Sequence, residues 1–264
     1  MQIQSIKETC KIVLKMEVNK ALQFKSNTFF EVVTSICYLF INIFFWSVMF
    51  NLGYTLPGWN QKDILVFIAF SELFFGLHAS LTVSLSRFWL FVISGKLDTM
   101  LVRPIDPRLR IILLNINYIE LIKTLIFFIF LLLYSGHELS LIKIILGVLV
   151  CFCGLYVFAL IQLIISYFSF SFGKVEALNE LSDSLTVINK YPVTIFPKII
   201  FVASRIIFPF LFFSTFPAQI VNGILTKNYV IWGVIGLVSN LAIWTIIHNI
   251  CWKKGLVKYE SYNG

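Results

Sequence analysis

The chain has 264 residues, of which 59% are hydrophobic and only 13% are charged, and its mean hydropathy is +0.89. A soluble domain carries roughly one-quarter charged residues, so this composition excludes an ordinary soluble protein and predicts one membrane domain. The net charge of +8 does not indicate a nucleic-acid partner, because the basic residues lie in the gaps between apolar runs and form no stripe with interleaved aromatic residues.

Residues 1–28 are predicted to form an interfacial helix. Ile6, Cys10, Leu14 and Val18 recur every four residues, beside a row of lysines at positions 7, 11 and 15. The stretch holds no continuous apolar run, so we expect no cleavable signal peptide. Two interpretations stay open: the helix is a basic flank that anchors the first span, or it touches a cytoplasmic partner.

Six apolar runs are long enough to cross a bilayer as helices of about 20 residues. None alternates polar and apolar residues as barrel strands do, so the predicted fold class is all-α, a polytopic membrane protein with six transmembrane helices. The runs cover about residues 29–50, 63–83, 115–135, 141–166, 195–218 and 229–250.

The distribution of Lys and Arg predicts the orientation. Fifteen of them fall before the first run, in the gaps after the second and fourth runs, and in the tail. Only Lys62, Lys143 and Lys227 fall in the opposite gaps. Because positive charge is retained in the cytoplasm, both termini are predicted to be cytoplasmic.

Catalytic and nucleotide-binding motifs are missing from the sequence. The pairs Gly95-Lys96 and Gly173-Lys174 are followed by Leu and Val rather than by the Ser or Thr of a phosphate-binding loop. The three histidines are scattered, and the five cysteines have neither His partners nor zinc-ligand spacing. We therefore expect no catalytic residue, no metal and no cofactor in this chain.

The gap at residues 84–110, between the second and third runs, is too long for a hairpin. Its first part is apolar and aromatic around a single Arg87, which is typical of an interfacial helix. Gly95 can end that helix, a short amphipathic turn follows, and Pro104 and Pro107 stop it before the third run. The sequence therefore predicts a short, rigid element on the cytoplasmic side.

Residues 95–110, GKLDTMLVRPIDPRLR, resemble the cytoplasmic loop of ABC-2-type permeases (type-2 ABC exporters) of the daunorubicin-resistance-like branch, which carry G-x-L-D-x-x-L-[VI]-R-P-[IL] there. Three further segments support the resemblance: KYPVTIFP at 190–197, IIFPFLFFSTFPA at 206–218, and GLVKYESYNG at 255–264, which is similar to the family's G-L-x-x-Y-x-S-x-G ending. Their order and spacing hold over essentially the whole chain.

The resemblance implies that this loop holds a coupling helix that fits a groove on a separate ATP-binding subunit. Leu97, Met100 and Leu101 would be the apolar docking side chains, with Asp98 and Arg103 as polar guides. A short, stiff element suits the transmission of a rigid-body movement. The alternative is a loop anchored only to its own helices. The expected coupling residues are Gly95, Lys96, Leu97, Asp98, Met100, Leu101, Arg103 and Pro104.

The resemblance further implies a permease that lies in the cytoplasmic membrane of a bacterium and pairs with a second copy or a related permease. The complex would export a hydrophobic or amphipathic compound, such as a drug, an antimicrobial peptide or a lipid, by alternating access. ATP and Mg would be bound by the partner ATPase. Two other classes are alternatives: a membrane-embedded enzyme, which would need a nucleophile and base or a metal cluster, and an ATPase-independent secondary transporter or channel, which would favour internal repeats and paired intramembrane acids.

The fifth span has two candidate positions. Lys198, Arg205 and two prolines interrupt the run at 195–218. The resemblance would instead make residues 193–222 a broken helical hairpin on the outer side, and the more polar stretch at about 168–191 would cross the membrane. In that version Glu176, Glu180 and Asp183 would face the inside of the bundle.

Charged residues within the runs are costly in lipid and are therefore candidates for a substrate path. Glu120 and Lys123 are three residues apart and can form an ordinary pair on one helical face. Glu72 is the better cavity candidate, whereas His78, six residues later, is expected on a different face. The possible substrate-path residues are Glu72, Glu120, Lys123 and Arg205.

Overall fold

The computed structural model describes residues 2–103, 105–136 and 140–259, with side chains from residue 10 onward. Within these ranges the regular structure is helical, apart from one isolated bridge between Leu56 and Trp59, which confirms the predicted all-α class. The helices are α1 (Gln2–Gln23), α2 (Lys25–Asn51), α3 (Gln61–Ile93), α4 (Lys96–Leu101), α5 (Pro107–Leu114), α6 (Tyr118–Tyr134), α7 (Leu141–Phe172), α8 (Glu176–Leu185), α9 (Lys198–Ile206), α10 (Leu211–Asn222) and α11 (Lys227–Lys258).

Four helices, α2, α3, α7 and α11, are long and apolar enough to cross a membrane unaided. The shortest of them, α2, has 27 residues and is therefore roughly 40 Å long, more than the hydrocarbon core of a bilayer. Two further pairs pass the same test only together: α5 and α6 meet at 76°, and α9 and α10 meet at 79°. The chain is a multi-pass membrane protein.

α3 is the central helix of the bundle. The apolar window of α3 is 67% buried, whereas that of α2 is 11% buried. Phenylalanine rings make the core around it, with Phe74 stacked on Phe213 at 3.8 Å and Phe70 edge-on to Phe128 at 5.2 Å. α3 therefore holds the other helices in place, and the largely exposed α2 is free to face lipid or another chain.

The bundle has two ends, which are recognised from the parallel helices α7 and α11. At one end, here called the tail end, Gly255 packs against the ring of Phe170. At the other, here called the hairpin end, the backbone at Gly223 lies beside the Lys143 ammonium group. Both α7 and α11 run from the hairpin end to the tail end.

The segment 176–195 carries the chain back from the tail end to the hairpin end. The hydrogen bonds follow its course: Asn179 Nδ2 donates to Ser166 Oγ (3.1 Å), and Gln162 Nε2 donates to Asp183 Oδ1 (2.7 Å). At the far end the indole of Trp59 donates to Thr194 Oγ1 (3.0 Å). The geometry therefore favours the second of the two positions for the fifth span.

α9 and α10 form a hairpin that enters and leaves the bundle from the hairpin end. Phe201 near its start contacts Tyr229, which lies in the first turn of α11, and the turn between the helices reaches Trp244, whose indole donates to the Ile207 carbonyl (2.9 Å). α10 then returns along α7 until Val221 lies against Gly147. The run at 195–218 is thus re-entrant rather than a crossing span.

α8 buries its polar side and exposes its leucines. Asn179, Ser182 and Thr186 are buried against the bundle, whereas Leu178 and Leu181 are 48% and 58% exposed. This reversal of the usual pattern fits a helix that meets lipid or another apolar surface on its outer face, since polar groups in a membrane need protein partners.

Three charged residues of this segment lie elsewhere than expected. Of the acids expected inside the bundle, only Asp183 makes an internal hydrogen bond, since Glu176 pairs with Lys174 at the surface and Glu180 is exposed. Lys190 lies in the gap after the fourth apolar run, which is predicted to be cytoplasmic, but it stands over the ring of Tyr38 at 5.1 Å. The reason is that residues 176–195 pass through the bundle and do not form a loop at its end.

The expected amino-terminal helix is present as α1. Its protein-facing side is marked by Val13, which is buried, and by the Cys10 carbonyl, which accepts a hydrogen bond from the Tyr118 hydroxyl (3.2 Å). Leu14 and Val18 are exposed. Ile6 lies outside the side chains that the structure describes.

Candidate functional site

α4 is held rigidly at the tail end. Gly95 has φ of +67°, a left-handed conformation that suits glycine, and this turn separates α3 from α4. Leu97 is fully buried in an apolar cluster with Phe88, Val92 and Tyr167. Because the anchoring side chains come from α3 and α7, α4 cannot move without them.

Both ends of α4 and the residues that directly follow it are exposed. Leu101 is 40% exposed, Val102, which directly follows the helix, is 87% exposed, and Lys96 and Arg103 are also exposed. Large exposed aliphatic side chains on a fixed helix are suited to contact a partner. The described part of the loop therefore presents a small apolar knob flanked by positive charge.

Two of the expected docking side chains lie differently. Leu97 has no exposed surface, so it anchors α4 to its own chain instead of contacting a partner, and Met100 is half-buried against the same cluster. Leu97 and Met100 are three residues apart and lie on one side of α4. Leu101, four residues after Leu97, is close to the same side and is exposed because it ends the helix. Asp98 is half-buried and lies near Tyr259 of the tail. Pro104 lies outside the described residues.

A polar cluster also lies at the tail end, where it joins α5, α7 and α11. Asp106 caps α5 by accepting from the backbone N–H of Arg108 (2.8 Å), and the two side chains also form an ion pair. Arg108 Nη1 donates to His248 Nε2 (3.1 Å), and the Tyr167 hydroxyl lies 2.9 Å from the same nitrogen. The guanidinium also stands 4.8 Å over the ring of Trp252.

Sequence reasoning missed this cluster. His248 and Trp252, which contact Arg108, lie about 140 residues away from it on α11. The sequence itself signals only the start of α5, through the Asp-Pro-Arg triplet at 106–108. The three elements are tied together by charge as well as by packing.

A cavity of about 430 Å³ lies between α2, α3 and α6. It brings together three of the four residues expected on a substrate path, Glu72, Glu120 and Lys123. The rest of its wall is mainly aromatic or small. Tyr38, Phe75, Phe127 and Gly76 belong to it.

Within the cavity wall, two of the charges neutralise each other. Lys123 forms an ion pair with Glu120 and also donates to Ser35 Oγ (2.7 Å), so the expected pair is present and extends to α2. Among the described residues, none hydrogen-bonds or ion-pairs with Glu72, although Lys123, Glu120 and Lys190 are its charged neighbours.

His78 borders the same cavity as Glu72, although the two residues lie on different faces of α3. The two positions are about 120° apart around α3, and the cavity extends far enough round the helix to meet both. The ring is held by Thr82 Oγ1 at 2.7 Å and lies 3.6 Å from Asp183. In the part of the chain that the structure describes, no three His, Cys, Asp or Glu side chains form a possible metal site.

Arg205, the fourth expected residue, is not brought to this cavity. It lies on α9 against α11, where its guanidinium stands 5.7 Å from the ring of Trp232. Its carbonyl accepts from Asn240 Nδ2 (2.7 Å). Its contacts fasten the re-entrant hairpin to α11.

Comparison with protein families decides the class of this bundle. A family model described as "ABC-2 family transporter protein" matches residues 36–263. The chain belongs to the ABC-2 family. ABC-2 chains are membrane components of transporters that lack an ATPase domain, and the family implies association with an ATPase subunit. The match includes α3, α4 and α6, and hence both the exposed helix and most of the cavity. No curated protein and no solved structure matches the chain.

Proposed function

We propose that this ABC-2 chain is the permease subunit of an ATP-driven exporter of the daunorubicin-resistance-like branch, and that its ATPase partner docks on α4 and Val102. The observation that carries the proposal is the combination of buried Leu97 and exposed Leu101 on one short helix with exposed Val102 directly after it. The exposed pair offers an apolar surface, and the buried leucine connects that surface to the core.

The tail end is proposed to face the cytoplasm of a bacterium, with both termini on that side. Basic residues are concentrated there, whereas the hairpin end carries Lys62, Lys143, Lys198 and Lys227 at the starts of α3, α7, α9 and α11. The tail-end residues are Arg87, Lys96, Arg103, Arg110, Lys174, Lys253, Lys254 and Lys258. A cytoplasmic ATPase could then reach α4.

The proposed mechanism is alternating access. ATP and Mg are bound by the partner, and closure of two ATPase subunits pushes on α4. Because Leu97 packs with Phe88 of α3 and Tyr167 of α7, the push reaches both of these central helices. α3 also forms one wall of the cavity, so its movement changes the cavity's shape and opening.

A second permease, either another copy or a relative, is proposed to complete the unit. Both α2 and α8 carry exposed apolar side chains that could face such a partner, among them Phe40 and Phe44 on α2 and Leu178 and Leu181 on α8. The transported compound is proposed to be hydrophobic or amphipathic: a drug, an antimicrobial peptide or a lipid.

Affinity purification of the tagged chain from its native membrane, followed by mass spectrometry, tests the docking helix. We expect a Walker-motif ATPase to co-purify with the wild type and with Val257→Asp, and to be lost with Val102→Asp. The two valines are matched in exposure and position. Val102 is 87% exposed and directly follows α4, and Val257 is 88% exposed and lies in the last turn of α11, at the same end of the bundle. An ATPase that stays bound to Val102→Asp would refute docking on α4, and no ATPase with the wild type would refute the permease assignment.

A further inference from the structure

We propose that the cavity between α2, α3 and α6 binds the positively charged group of an amphipathic organic cation, with Glu72 as its counter-charge. This proposal depends on the proposed function only for the identity of the ligand, which is taken to be the transported compound. The binding itself is a property of this chain alone.

The charge of the cavity wall favours a cation. Lys123 is already paired with Glu120 and hydrogen-bonded to Ser35, and the two opposite charges cancel. His78 is held by Thr82 and faces Asp183. Among the described groups that line the cavity, Glu72 is the carboxylate that makes no hydrogen bond or ion pair, and Lys190, which stands outside the cavity wall, is a further charged neighbour. A carboxylate at membrane depth is costly without a partner, so a ligand cation that enters the cavity is stabilised there.

The remaining wall suits the organic part of such a ligand. Phe75, Phe127 and Tyr38 supply aromatic surface, and ring faces attract cations as well as apolar groups. Tyr38 already accepts one cation in this way, because Lys190 stands over its ring at 5.1 Å. The volume of about 430 Å³ lies within the range of small-molecule pockets. A small inorganic cation would leave most of this aromatic wall without a partner.

The position of α2 provides a route for entry from the membrane. Only 11% of its apolar window is buried, and Thr34, Ser35 and Tyr38 are its contributions to the cavity. An amphipathic molecule dissolved in the bilayer can therefore approach between α2 and α6 without first crossing the packed core of the bundle.

Binding of radiolabelled tetraphenylphosphonium to the purified chain in lipid nanodiscs tests the proposal. Tetraphenylborate is the matched probe, since it has nearly the same shape and the opposite charge. We expect saturable binding of the phosphonium, competition by unlabelled phosphonium, and no comparable binding of the borate. Glu72→Gln should weaken phosphonium binding about tenfold or more, because it removes the charge and keeps the shape. Glu72→Asp, which keeps the charge, should retain most of the affinity.

Glu31→Gln is the control variant. Glu31 is an exposed carboxylate on α2 that lines a separate cavity of about 240 Å³ between α1 and α2. Phosphonium binding that is equal in wild type and Glu72→Gln, or equal loss in Glu31→Gln, would overturn the proposal, as would borate binding as tight as phosphonium binding. If Glu72→Gln does not give monodisperse helical protein, the comparison of the two probes on the wild type still decides. Co-purification of the ATPase is measured separately, so failure of this site and failure of the permease assignment give different results.

Discussion

Gly76 of α3 is the point at which the central helix and α6 come closest, and Gly76→Ala should destabilise the bundle. A Cβ atom at Gly76 would lie 1.8 Å from Oγ1 of Thr124, 2.6 Å from its Cγ2 and 2.7 Å from its Cβ. Ordinary van der Waals contact begins near 3.4 Å, so the overlap with Oγ1 is 3.4 minus 1.8, or 1.6 Å. Thr124 is 3% exposed and its hydroxyl donates to the Glu120 carbonyl, so its side chain has little freedom to move away.

The expected loss in the free energy of unfolding is about 1–2 kcal/mol. Overpacking in a well-packed core costs about 1–3 kcal/mol, and replacing a helical glycine by alanine returns about 0.5–1 kcal/mol. Small residues at contacts between membrane helices permit close approach, and at this contact between α3 and α6 the small residue is Gly76. Equilibrium unfolding of the purified chain in mixed micelles, followed by circular dichroism, measures the loss.

The double variant Gly76→Ala, Thr124→Gly is the control, because the three atoms nearest the new Cβ all belong to the Thr124 side chain. The loss caused by Gly76→Ala should largely disappear when it is introduced into Thr124→Gly, with a coupling free energy of about 1 kcal/mol or more. Unchanged unfolding of Gly76→Ala, or strictly additive effects in the double variant, would show that the two helices do not meet as described.

Three further outcomes are expected. Burial alone would raise the pKa of Asp106, but hydrogen bonds from Arg108 hold it below the ordinary 3.8. The ionised carboxylate therefore stabilises the fold above pH 3.8, and this stabilisation is lost as the pH falls through the lower pKa of the folded protein. Unfolding of Asp106→Asn at acid pH should accordingly depend less on pH than unfolding of the wild type. Gly255→Ala should lower the unfolding midpoint, since its Cβ would lie 2.3 Å from the Phe170 ring, and Phe170→Ala should relieve the effect. Thr194→Val should cost about 0.5–1.5 kcal/mol in the free energy of unfolding by removing the acceptor of the Trp59 indole, and unfolding identical to that of the wild type would contradict that hydrogen bond.

The sequence predicted the long apolar helices well because each is a local property of the chain. The runs at 29–50, 63–83, 141–166 and 229–250 correspond to α2, α3, α7 and α11, which extend beyond them by up to about ten residues. The run at 115–135 corresponds to α6, but the bend before it could not be read from hydropathy, which carries no information on the angle between two consecutive helices.

The polar crossing was only one of two candidates, for a physical reason. Hydropathy estimates how favourably a whole segment is transferred into lipid. In α8, however, Asn179 and Ser182 face the bundle, and only the leucines are exposed on the outer side. Which side chain faces which neighbour depends on α7 and α3, so no local pattern decides it. Leu97 shows the same limit at the tail end, since only the packed cluster distinguishes an anchor from a docking side chain.

The inverted faces of α8 bear on the order in which the protein is made. Alone in the lipid, α8 would expose Asn179 and Ser182 without the bundle around them, and insertion of such a segment is unfavourable. Ser166 of α7 and the helix that carries it leave the ribosome first and can supply those partners. The membrane insertion of α8 therefore depends on an already inserted α7. A defect in α7 would then give the residues that follow it the wrong membrane topology during synthesis.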